Sequence, residues 1–253
     1  MKGDEIKILA GKHGVPAGTL EKDFTITIIL SIISRFGEID KLVFKGGTSL
    51  KKAYFAETRF SEDLDFTCTE DISSSLYGFL IKGITNNQVD FTEVKEEKTV
   101  AQSKSFSVKY NDFNGHPNSV KIDLSIREKV LNGQENRQII HFYDNMKPSV
   151  FHIPTMTLKE IIAEKVRAII YAQRPRHLYD MWYLLGKNVV IDPSLVNSKL
   201  SLYGDQFDLK KLKEGMNKTK KNWKADLRHL MPNMPSFDDV AENVLIKISE
   251  VMK

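Results

Sequence analysis

The 253-residue sequence has a single cysteine, Cys68, and no apolar segment long enough to cross a membrane. One cysteine cannot form an internal disulfide, so no disulfide stabilises the monomer. The apolar run from Ile26 to Ile33 is interrupted by polar residues and is far shorter than the roughly 20 residues of a membrane helix. The first residues carry acids and lack the apolar core of a signal peptide. We therefore expect a protein of the reducing cytoplasm that does not contact a membrane.

The sequence also lacks motifs that define several common classes of enzyme. It contains neither a G-x-x-x-x-G-K-[ST] P-loop nor a G-x-G-x-x-G fingerprint, so neither a P-loop ATPase nor a dinucleotide enzyme is supported. The six histidines are scattered, with no pair at the spacing of metal ligands. The net charge of +4 and the pI near 8.9 are compatible with nucleic acid as a partner but do not establish it.

The chain changes character near residue 150. Before that point, residue patterns predict helices at residues 21–36 and at ISSSLYGFLIKGI, and strands at LVFK, DLDFTC, VDFTEVKEE, KSFSVKY and SVKIDLSI. Beyond it helical patterns dominate, no strand is evident, and Thr157 and Glu160 have the spacing of a capping box. We therefore predict an α+β protein with a core domain at residues 1–150 and a helical domain at residues 151–253.

Two carboxylates lie on alternate residues of the predicted strand DLDFTC. Asp63 and Asp65 point to one face, about 6.6 Å apart at their Cα atoms, while Cys68 shares the opposite, apolar face. Carboxylate oxygens favour hard cations such as Mg²⁺ or Mn²⁺, which keep waters and recruit substrate phosphates. Asp123, on the alternating strand SVKIDLSI, is the candidate third ligand. A lone D-x-D more often marks a solvated strand edge, so this pattern needs support from the rest of the sequence.

That support comes from a pair of glycines in LVFKGGTSLKKAYFA, just before the acidic strand. Gly46 and Gly47 follow a strand and open a helical segment, where residues without Cβ let backbone N–H groups approach phosphate oxygens. Thr48 and Ser49 add hydroxyl donors. A lone Gly-Gly usually marks a turn, but the order of strand, GG[TS], helix, D-x-D strand and later acidic strand indicates a phosphate site followed by a metal site.

Lys165 lies on the apolar face of the predicted helix LKEIIAEKVRAIIYAQ. Its neighbours three and four residues away are all isoleucine or alanine. Such a lysine either extends to water or is held toward an anion, and periodicity does not choose between the two. Asp180 follows Arg176 by four residues on the next predicted helix, so an ordinary helical ion pair explains it without any role in chemistry.

The motifs KGGTSL, RFSEDLDF, KIDLS, EKVRAI and RPRHLYDMWYL occur in this order in the chain. With them the sequence resembles the AbiEii/AbiGii toxin family of nucleotidyltransferases, in the DNA polymerase β-like superfamily, from Glu21 to Leu185 and more loosely to the C-terminus. The resemblance implies a nucleotidyltransferase-fold mixed β-sheet flanked by helices, a helical C-terminal half, and Mg²⁺-dependent nucleotide transfer from an NTP. It also implies the toxin role of a toxin–antitoxin or abortive-infection system, with a cognate antitoxin as partner.

Carried over residue by residue, the resemblance assigns four residues to the turn that faces the triphosphate: Gly46, Gly47, Thr48 and Ser49. It makes Asp63 and Asp65 metal ligands and Asp123 the third acid, at a strand where the relatives vary. Ser61 precedes the first acid in the family's S-x-D arrangement. It is either a strand-start cap or a functional hydroxyl at the nucleotide site, and we favour the cap.

The resemblance also assigns roles outside these motifs. It directs Lys165 toward the nucleotide phosphates and makes Asp180 an active-site residue that orients Lys165. Arg59 and Arg176 become secondary candidates for binding phosphate. In the implied mechanism, metal on the aspartates lowers the pKa of the incoming hydroxyl and neutralises charge on the α-phosphate, while the glycine turn and Lys165 hold the departing pyrophosphate.

The stretch LKKLKEGMNKTKKNWKADLRHL gives information about which molecule accepts the nucleotide. It gathers seven lysines around Trp223: Lys210, Lys211, Lys213, Lys218, Lys220, Lys221 and Lys224. This stretch is either an RNA-backbone surface or a solvated basic helix face. Relatives with an assigned acceptor act on tRNA, which makes tRNA the expected acceptor, with protein nucleotidylation as an alternative. A nucleotide- or antitoxin-binding module without turnover is the competing class of function, but the retained glycines, D-x-D and Lys165 favour an enzyme.

Overall fold

The computed structural model describes residues 3–85, 87–97, 103–144 and 146–252. The chain forms two compact units. The first comprises residues 1–130 and 134–156, and the second comprises residues 131–133 and 157–253. In the described residues the sheet belongs to the first unit and the second unit is helical. The predicted domain division at residue 150 stays a prediction.

In the described part of the first unit, seven strands form one mixed sheet in the order β3-β4-β5-β2-β1-β7-β6. The strands are β1 (Leu42–Lys45), β2 (Asp63–Cys68), β3 (Asp90–Glu96), β4 (Ser103–Asn111), β5 (Pro117–Ser125), β6 (Gln134–Gln138) and β7 (His152–Met156). β2 is antiparallel to β1 and parallel to β5. The helices are α1 (Gly3–His13), α2 (Ala17–Ile33), α3 (Gly46–Ser49) and α4 (Ser73–Gly83), and residues Leu50–Tyr54 continue α3 as a π-helical turn. The predicted α+β fold is confirmed.

Alternation along the central strands sorts their residues between two faces. On β2, Leu64, Phe66 and Cys68 are buried, while Asp63 and Asp65 on the opposite face are partly exposed. α2 contacts the neighbouring strand β5 and the helix α4. Each large apolar side chain that is fully buried in this way contributes roughly 1.5–3 kcal/mol of stability. Burial raises the pKa of the Cys68 thiol to about 12, so Cys68 is a core residue.

Two strands and one helix boundary differ from the predictions. The predicted helix at residues 21–36 runs instead over Ala17–Ile33. Neither β6 nor β7 was predicted. β6, with the sequence QENRQ, is an exposed edge strand without alternating apolar residues. β7 contains Pro154, and a proline within a sequence argues against predicting a strand there. Pairing with β1, which the sequence pattern does not reveal, decides that β7 is extended.

The second unit consists of helices, three of which pack against α5 (Leu158–Tyr171). The others are α6 (Pro175–Gly186), α7 (Pro193–Ser201), α8 (Leu209–Thr219), α9 (Trp223–Leu227) and α10 (Phe237–Val251), with a 3₁₀ turn at Lys220–Asn222. Lys199 is completely buried against α5, where its Nζ lies 2.5 Å from Glu160 and 3.1 Å from Glu164. None of the helices in the described parts of the chain has both the length and the hydropathy of a membrane span.

The predicted capping box at the start of α5 is wrong. Thr157 occupies the N-cap position, but its side chain accepts no hydrogen bond from the helix backbone. The Glu160 carboxylate instead accepts the backbone N–H groups of Leu131 and Asn132, at 2.8 and 2.7 Å. The Thr157 hydroxyl accepts a hydrogen bond from the Asn132 side chain. Thr157 and Glu160 therefore form hydrogen bonds with residues 131 and 132, and not with each other's backbone as a capping box requires.

A buried ionic cluster ties α2 to the segment after the glycines. The Lys52 Nζ lies 2.5 Å from the Asp23 carboxylate, and the Tyr143 hydroxyl donates to the same oxygen at 2.7 Å. Lys52 and Asp23 are each 1% exposed. Because both charges have left water, each depends on the other for its electrostatic compensation.

We predict that Asp23→Ala lowers the free energy of unfolding by about 3–5 kcal/mol, because it leaves the Lys52 ammonium buried without its counter-ion. Urea denaturation measures this change. The double variant Asp23→Leu/Lys52→Met should recover much of the loss, since it removes both charges. Glu93→Gln, which breaks the exposed ion pair to Lys109, should leave the unfolding midpoint nearly unchanged. Equal effects of Asp23→Ala and Glu93→Gln would contradict this account.

Candidate active site

A row of polar side chains crosses four neighbouring strands on the partly exposed face of the sheet. In the pairing register, Lys45 lies opposite Asp65, Asp65 opposite Asp123, and Asp123 opposite Ser105. Directly opposed residues point to the same face, on strands about 4.8 Å apart. Asp63 lies two residues before Asp65 and so shares that face. The sheet therefore brings the three predicted acids onto one surface.

The glycine turn packs directly against this row. Gly46 has φ +81°, a conformation that L side chains rarely adopt, and a Cβ there would overlap the Asp65 carboxylate. A Cβ at Gly47 would overlap the Arg59 guanidinium and lie 3.3 Å from the Ser61 Oγ. No side chain other than hydrogen fits at either position without displacing a predicted site residue.

Hydroxyl groups hold the turn in place. The Thr48 hydroxyl donates to the backbone carbonyl of Asp63, which joins the start of α3 to the start of the acidic strand. The Ser49 hydroxyl donates to the Gly46 carbonyl at 2.9 Å. Both hydroxyls are engaged by backbone carbonyls and both side chains are buried. In this structure they fix the shape of the turn.

Lys51 positions the loop that carries Arg59. Its Nζ donates to the carbonyls of Ala56 at 2.6 Å and Thr58 at 3.1 Å, and it lies 4.0 Å from the centroid of the Phe60 ring. Arg59 is 3% exposed and donates to the Phe60 carbonyl. Burial lowers the pKa of Lys51 to about 8. Nothing in the sequence pattern distinguished Lys51 from an ordinary exposed lysine.

The acids fit a hard cation by donor type. Asp63 and Asp65 offer carboxylate oxygens on one face, and Mg²⁺ needs only one or two protein carboxylates when it keeps waters and binds substrate phosphates. The Asp123 carboxylate accepts a hydrogen bond from Ser105 and lies 2.8 Å from the Lys121 Nζ. Within the ranges that the structure describes, no three His, Cys, Asp or Glu side chains are grouped to hold a metal. Asp123 as a third ligand stays a prediction.

An ion pair at the end of β1 escaped the sequence analysis. The Lys45 ammonium contacts the Glu128 carboxylate, and both side chains are largely buried. Lys45 directly precedes Gly46 and lies opposite Asp65. A lysine that ends the apolar strand LVFK is a weak signal, and Glu128 lies in a segment with no pattern at all. Only the tertiary structure brings the two together.

In the second unit, Lys165 and Asp180 form a buried pair. The Lys165 Nζ lies 2.6 Å from the Asp180 carboxylate, and the two residues are 5% and 1% exposed. The Arg176 Nε donates to the Asp226 carboxylate at 3.2 Å. Asp180 orients Lys165 in this structure, while the catalytic role of both residues stays a prediction.

The lysine-rich stretch forms a basic surface on the second unit, made of Lys210, Lys211, Lys213, Lys218, Lys220, Lys221 and Lys224, all of them exposed. Its tryptophan does not take part. Trp223 is 4% exposed, and its Nε1 donates to the Pro235 carbonyl at 3.0 Å. Trp223 is therefore a core residue that the sequence had placed among surface lysines.

Comparison with known proteins connects this geometry to a family. The family model described as "Nucleotidyl transferase AbiEii toxin, Type IV TA system" matches residues 28–243. The nucleotidyltransferase toxin MenT4 from Mycobacterium tuberculosis H37Rv superposes with a TM-score of 0.73 at 20% identity, over 98% of this chain and 89% of that chain. JHP933 from Helicobacter pylori gives 0.60 at 18% identity, over 94% and 93%. These identities show a shared fold. No curated protein matches the sequence significantly.

Alanine substitutions at Gly46 and Gly115, two of the glycines with positive φ, should separate backbone strain from crowding. Gly115, in the turn between β4 and β5, has φ +82° and nothing within 4 Å of an added Cβ. Gly115→Ala should therefore cost only the left-handed strain, about 1–2 kcal/mol. Gly46→Ala should cost about 1–3 kcal/mol more, because it also displaces the Asp65 carboxylate. Urea denaturation measures the free energy of unfolding of the two variants. Equal losses of stability would show that the Asp65 side chain moves aside without cost.

The stability contribution of Lys51 should depend on pH. Between its native pKa of about 8 and its unfolded value near 10.4, the unfolded chain holds the extra proton, so rising pH favours the native state. The free energy of unfolding of the wild type, minus that of Lys51→Met, should rise by about 1 kcal/mol per pH unit from pH 8 to pH 10. Urea titrations at several pH values measure it. A difference for Lys51→Met that does not change between pH 8 and pH 10 would refute the assignment.

Proposed function

Because the chain belongs to the AbiEii family of nucleotidyltransferase toxins of type IV toxin–antitoxin systems, we propose that it transfers a nucleoside monophosphate from an NTP to a hydroxyl group of RNA. The observation that carries this proposal is the packing of the Gly46–Gly47 backbone against the Asp65 carboxylate and the Arg59 guanidinium. A backbone free of side chains beside both an acid and a cation suits a triphosphate bound with its metal.

In the proposed reaction, the acceptor oxygen attacks the α-phosphorus of the NTP and forms a new phosphodiester bond. The bond from the α-phosphorus to the bridging oxygen breaks, and pyrophosphate leaves with that oxygen. The acceptor hydroxyl loses its proton to solvent or to a nearby carboxylate. A divalent cation, Mg²⁺ or Mn²⁺, supplies charge neutralisation at the phosphates and acidifies the attacking hydroxyl when it is bound.

The chain's own residues provide positioning and charge. Asp63 and Asp65 would hold the cation, and Asp123 would join them if its carboxylate turned away from Lys121. The Gly46–Gly47 backbone would face the phosphates, with Thr48 and Ser49 fixing its shape. Arg59, held by its carbonyl contact and by the loop that Lys51 anchors, would contribute a fixed positive charge. Ser61, whose Oγ faces Gly47, remains a candidate nucleotide-binding hydroxyl.

The pair of Lys165 and Asp180 is proposed as a further part of the machinery. The carboxylate of Asp180 contacts the Lys165 ammonium and fixes its position. A lysine held in this way can neutralise charge on the nucleotide phosphates without the entropic cost of ordering a mobile side chain. Arg176, bonded to Asp226, is the weaker candidate for phosphate binding.

RNA is proposed as the acceptor, with tRNA first among RNAs. The exposed basic surface supports a polyanionic acceptor, because lysines bind phosphate backbones without sequence choice. The family description supports a partner antitoxin and action inside the cell that makes the toxin. The cytoplasm is therefore the proposed location, and an antitoxin is the proposed protein partner.

A second candidate is a nucleotide-binding module without turnover. The engagement of Asp123 by Lys121 and Ser105 favours it, because both contacts fall on one oxygen of the carboxylate that would otherwise bind the cation. Its prediction is tight nucleotide binding with no transfer. An enzyme that labels protein in place of RNA is the remaining alternative.

We expect Asp63→Asn and Asp65→Asn each to reduce transfer by at least about 100-fold, because each removes a carboxylate that would neutralise the cation at the phosphates. The assay incubates purified protein with each α-labelled NTP, Mg²⁺ and total tRNA, and follows label on RNA. Urea denaturation of each variant should match the wild type. The control Asp90→Asn changes an exposed aspartate on β3 and should transfer normally.

The outcomes separate the candidates. Label on tRNA that disappears with Asp65→Asn supports the proposal. Label on protein alone points to protein nucleotidylation, and bound nucleotide without any transfer points to the binding module. Full activity in a folded Asp65→Asn protein would overturn the assignment of the site.

A further inference from the structure

Two tyrosines are stacked on each other at the surface of the second unit. Tyr171 ends α5, and Tyr203 lies in the turn that follows α7. Their ring centroids are 4.6 Å apart and their planes differ by 16°. Tyr171 is 40% exposed and Tyr203 is 44% exposed. A parallel pair of rings that keeps this much surface in water is available to a third flat group.

The pair is held in place by charged neighbours. The Tyr171 hydroxyl donates to the Asp205 carboxylate at 2.6 Å, and the Lys211 ammonium binds the same oxygen at 2.6 Å. The Arg167 guanidinium lies 5.6 Å from the centroid of the Tyr203 ring. Asp205 thus fixes one ring and one lysine together, and the ring positions are set before any ligand arrives.

Lys211 connects the tyrosine pair to the basic surface. It lies on α8 beside Lys210, and Lys213 and Lys218 follow on the same helix. Lys210, Lys213 and Lys218 make no ion pair with any residue in the described ranges, so their charge is not consumed within the chain. Stacking rings beside uncompensated lysines are the combination that binds single-stranded nucleic acid.

We propose that the Tyr171–Tyr203 pair is a stacking site for an unpaired base of RNA, and that the basic surface holds the neighbouring phosphates. The proposal rests on the proposed function, in which RNA is the acceptor, and it adds where and how a single-stranded segment is held. Stacking tolerates any base, because every base presents a flat π-face, so this site selects unpaired strands over duplexes without reading sequence.

Trp223 lies among these lysines in the sequence, but its side chain is buried. Tyr171 and Tyr203 lie far apart in sequence, on segments whose patterns show only helix ends. Their pairing arises because α5 and α7 pack together in the second unit. The aromatic component of the surface is therefore visible only in three dimensions.

The test measures binding of RNA to the full-length chain without NTP. The probes are a fluorescein-labelled 10-nucleotide oligoadenylate and a blunt-ended RNA duplex, each titrated at several salt concentrations by fluorescence anisotropy. Tyr171→Leu/Tyr203→Leu should weaken oligoadenylate binding about tenfold and leave its salt dependence unchanged, because it removes stacking and keeps the charges. Duplex binding should hardly change.

Matched variants complete the design. Tyr203→Phe keeps both rings and the hydrogen bond from Tyr171 to Asp205, and should bind nearly as the wild type does. Phe113→Leu removes an exposed aromatic residue of the first unit and should have no effect. Lys210→Gln/Lys213→Gln should weaken binding of both probes. For the oligoadenylate it should reduce the magnitude of the slope of log K against log salt by about 1.4, since each of the two lost phosphate contacts accounts for about 0.7 on a single strand. Urea denaturation establishes that every variant is folded.

The outcomes distinguish this proposal from the proposed function. Unchanged oligoadenylate binding by the folded leucine double variant, or an equal loss for the duplex, would overturn the stacking site even where the wild type labels RNA. A wild type that binds neither probe and labels only protein would overturn the RNA acceptor, and the stacking site with it. Selective loss of single-strand binding in the leucine variant supports the site.

Discussion

The contact between the Gly46 backbone and the Asp65 carboxylate constrains the rest of the first unit. The Asp65 carboxylate packs directly against the Gly46 backbone, and a Cβ atom at Gly46 would overlap that carboxylate. Thr48 then ties the turn to the start of β2, and Arg59 fills the corresponding space beside Gly47. The sheet register, the turn and the loop after it are therefore parts of one packing arrangement.

Support for this arrangement comes from charges removed from water. Lys51 and Lys52 are adjacent in sequence and both buried, but they do different work. Lys52 binds Asp23 on α2 and fixes the helical segment to the core, whereas Lys51 donates to two carbonyls of the loop that carries Arg59. Buried cations are costly unless they are compensated, and here the Asp23 carboxylate compensates Lys52 while two loop carbonyls accept hydrogen bonds from Lys51.

Two kinds of observation lead toward RNA. Exposed lysines give affinity for any phosphate backbone, and by themselves they mark a solvated helix face as readily as a binding surface. The stacked tyrosines beside them add a feature that a solvated face does not need. Family membership supplies nucleotide transfer, and the surface chemistry of the second unit suggests which polymer receives the nucleotide.

The sequence by itself determined the family, the α+β class, and the strand and turn that carry Gly46, Asp63 and Asp65, because these depend on local alternation and on glycine at fixed spacing. It could also predict Lys165 on an apolar helix face from periodicity alone. The tertiary structure decided what depends on residues distant in the chain. It makes β7 a strand where the sequence pattern indicates none, and it bonds Glu160 to the Asn132 backbone in place of a capping box. It also buries Trp223 in the core and stacks Tyr171 on Tyr203. Local sequence patterns indicate on which face of a helix or strand a side chain lies. Which residues contact that face depends on how the whole chain packs.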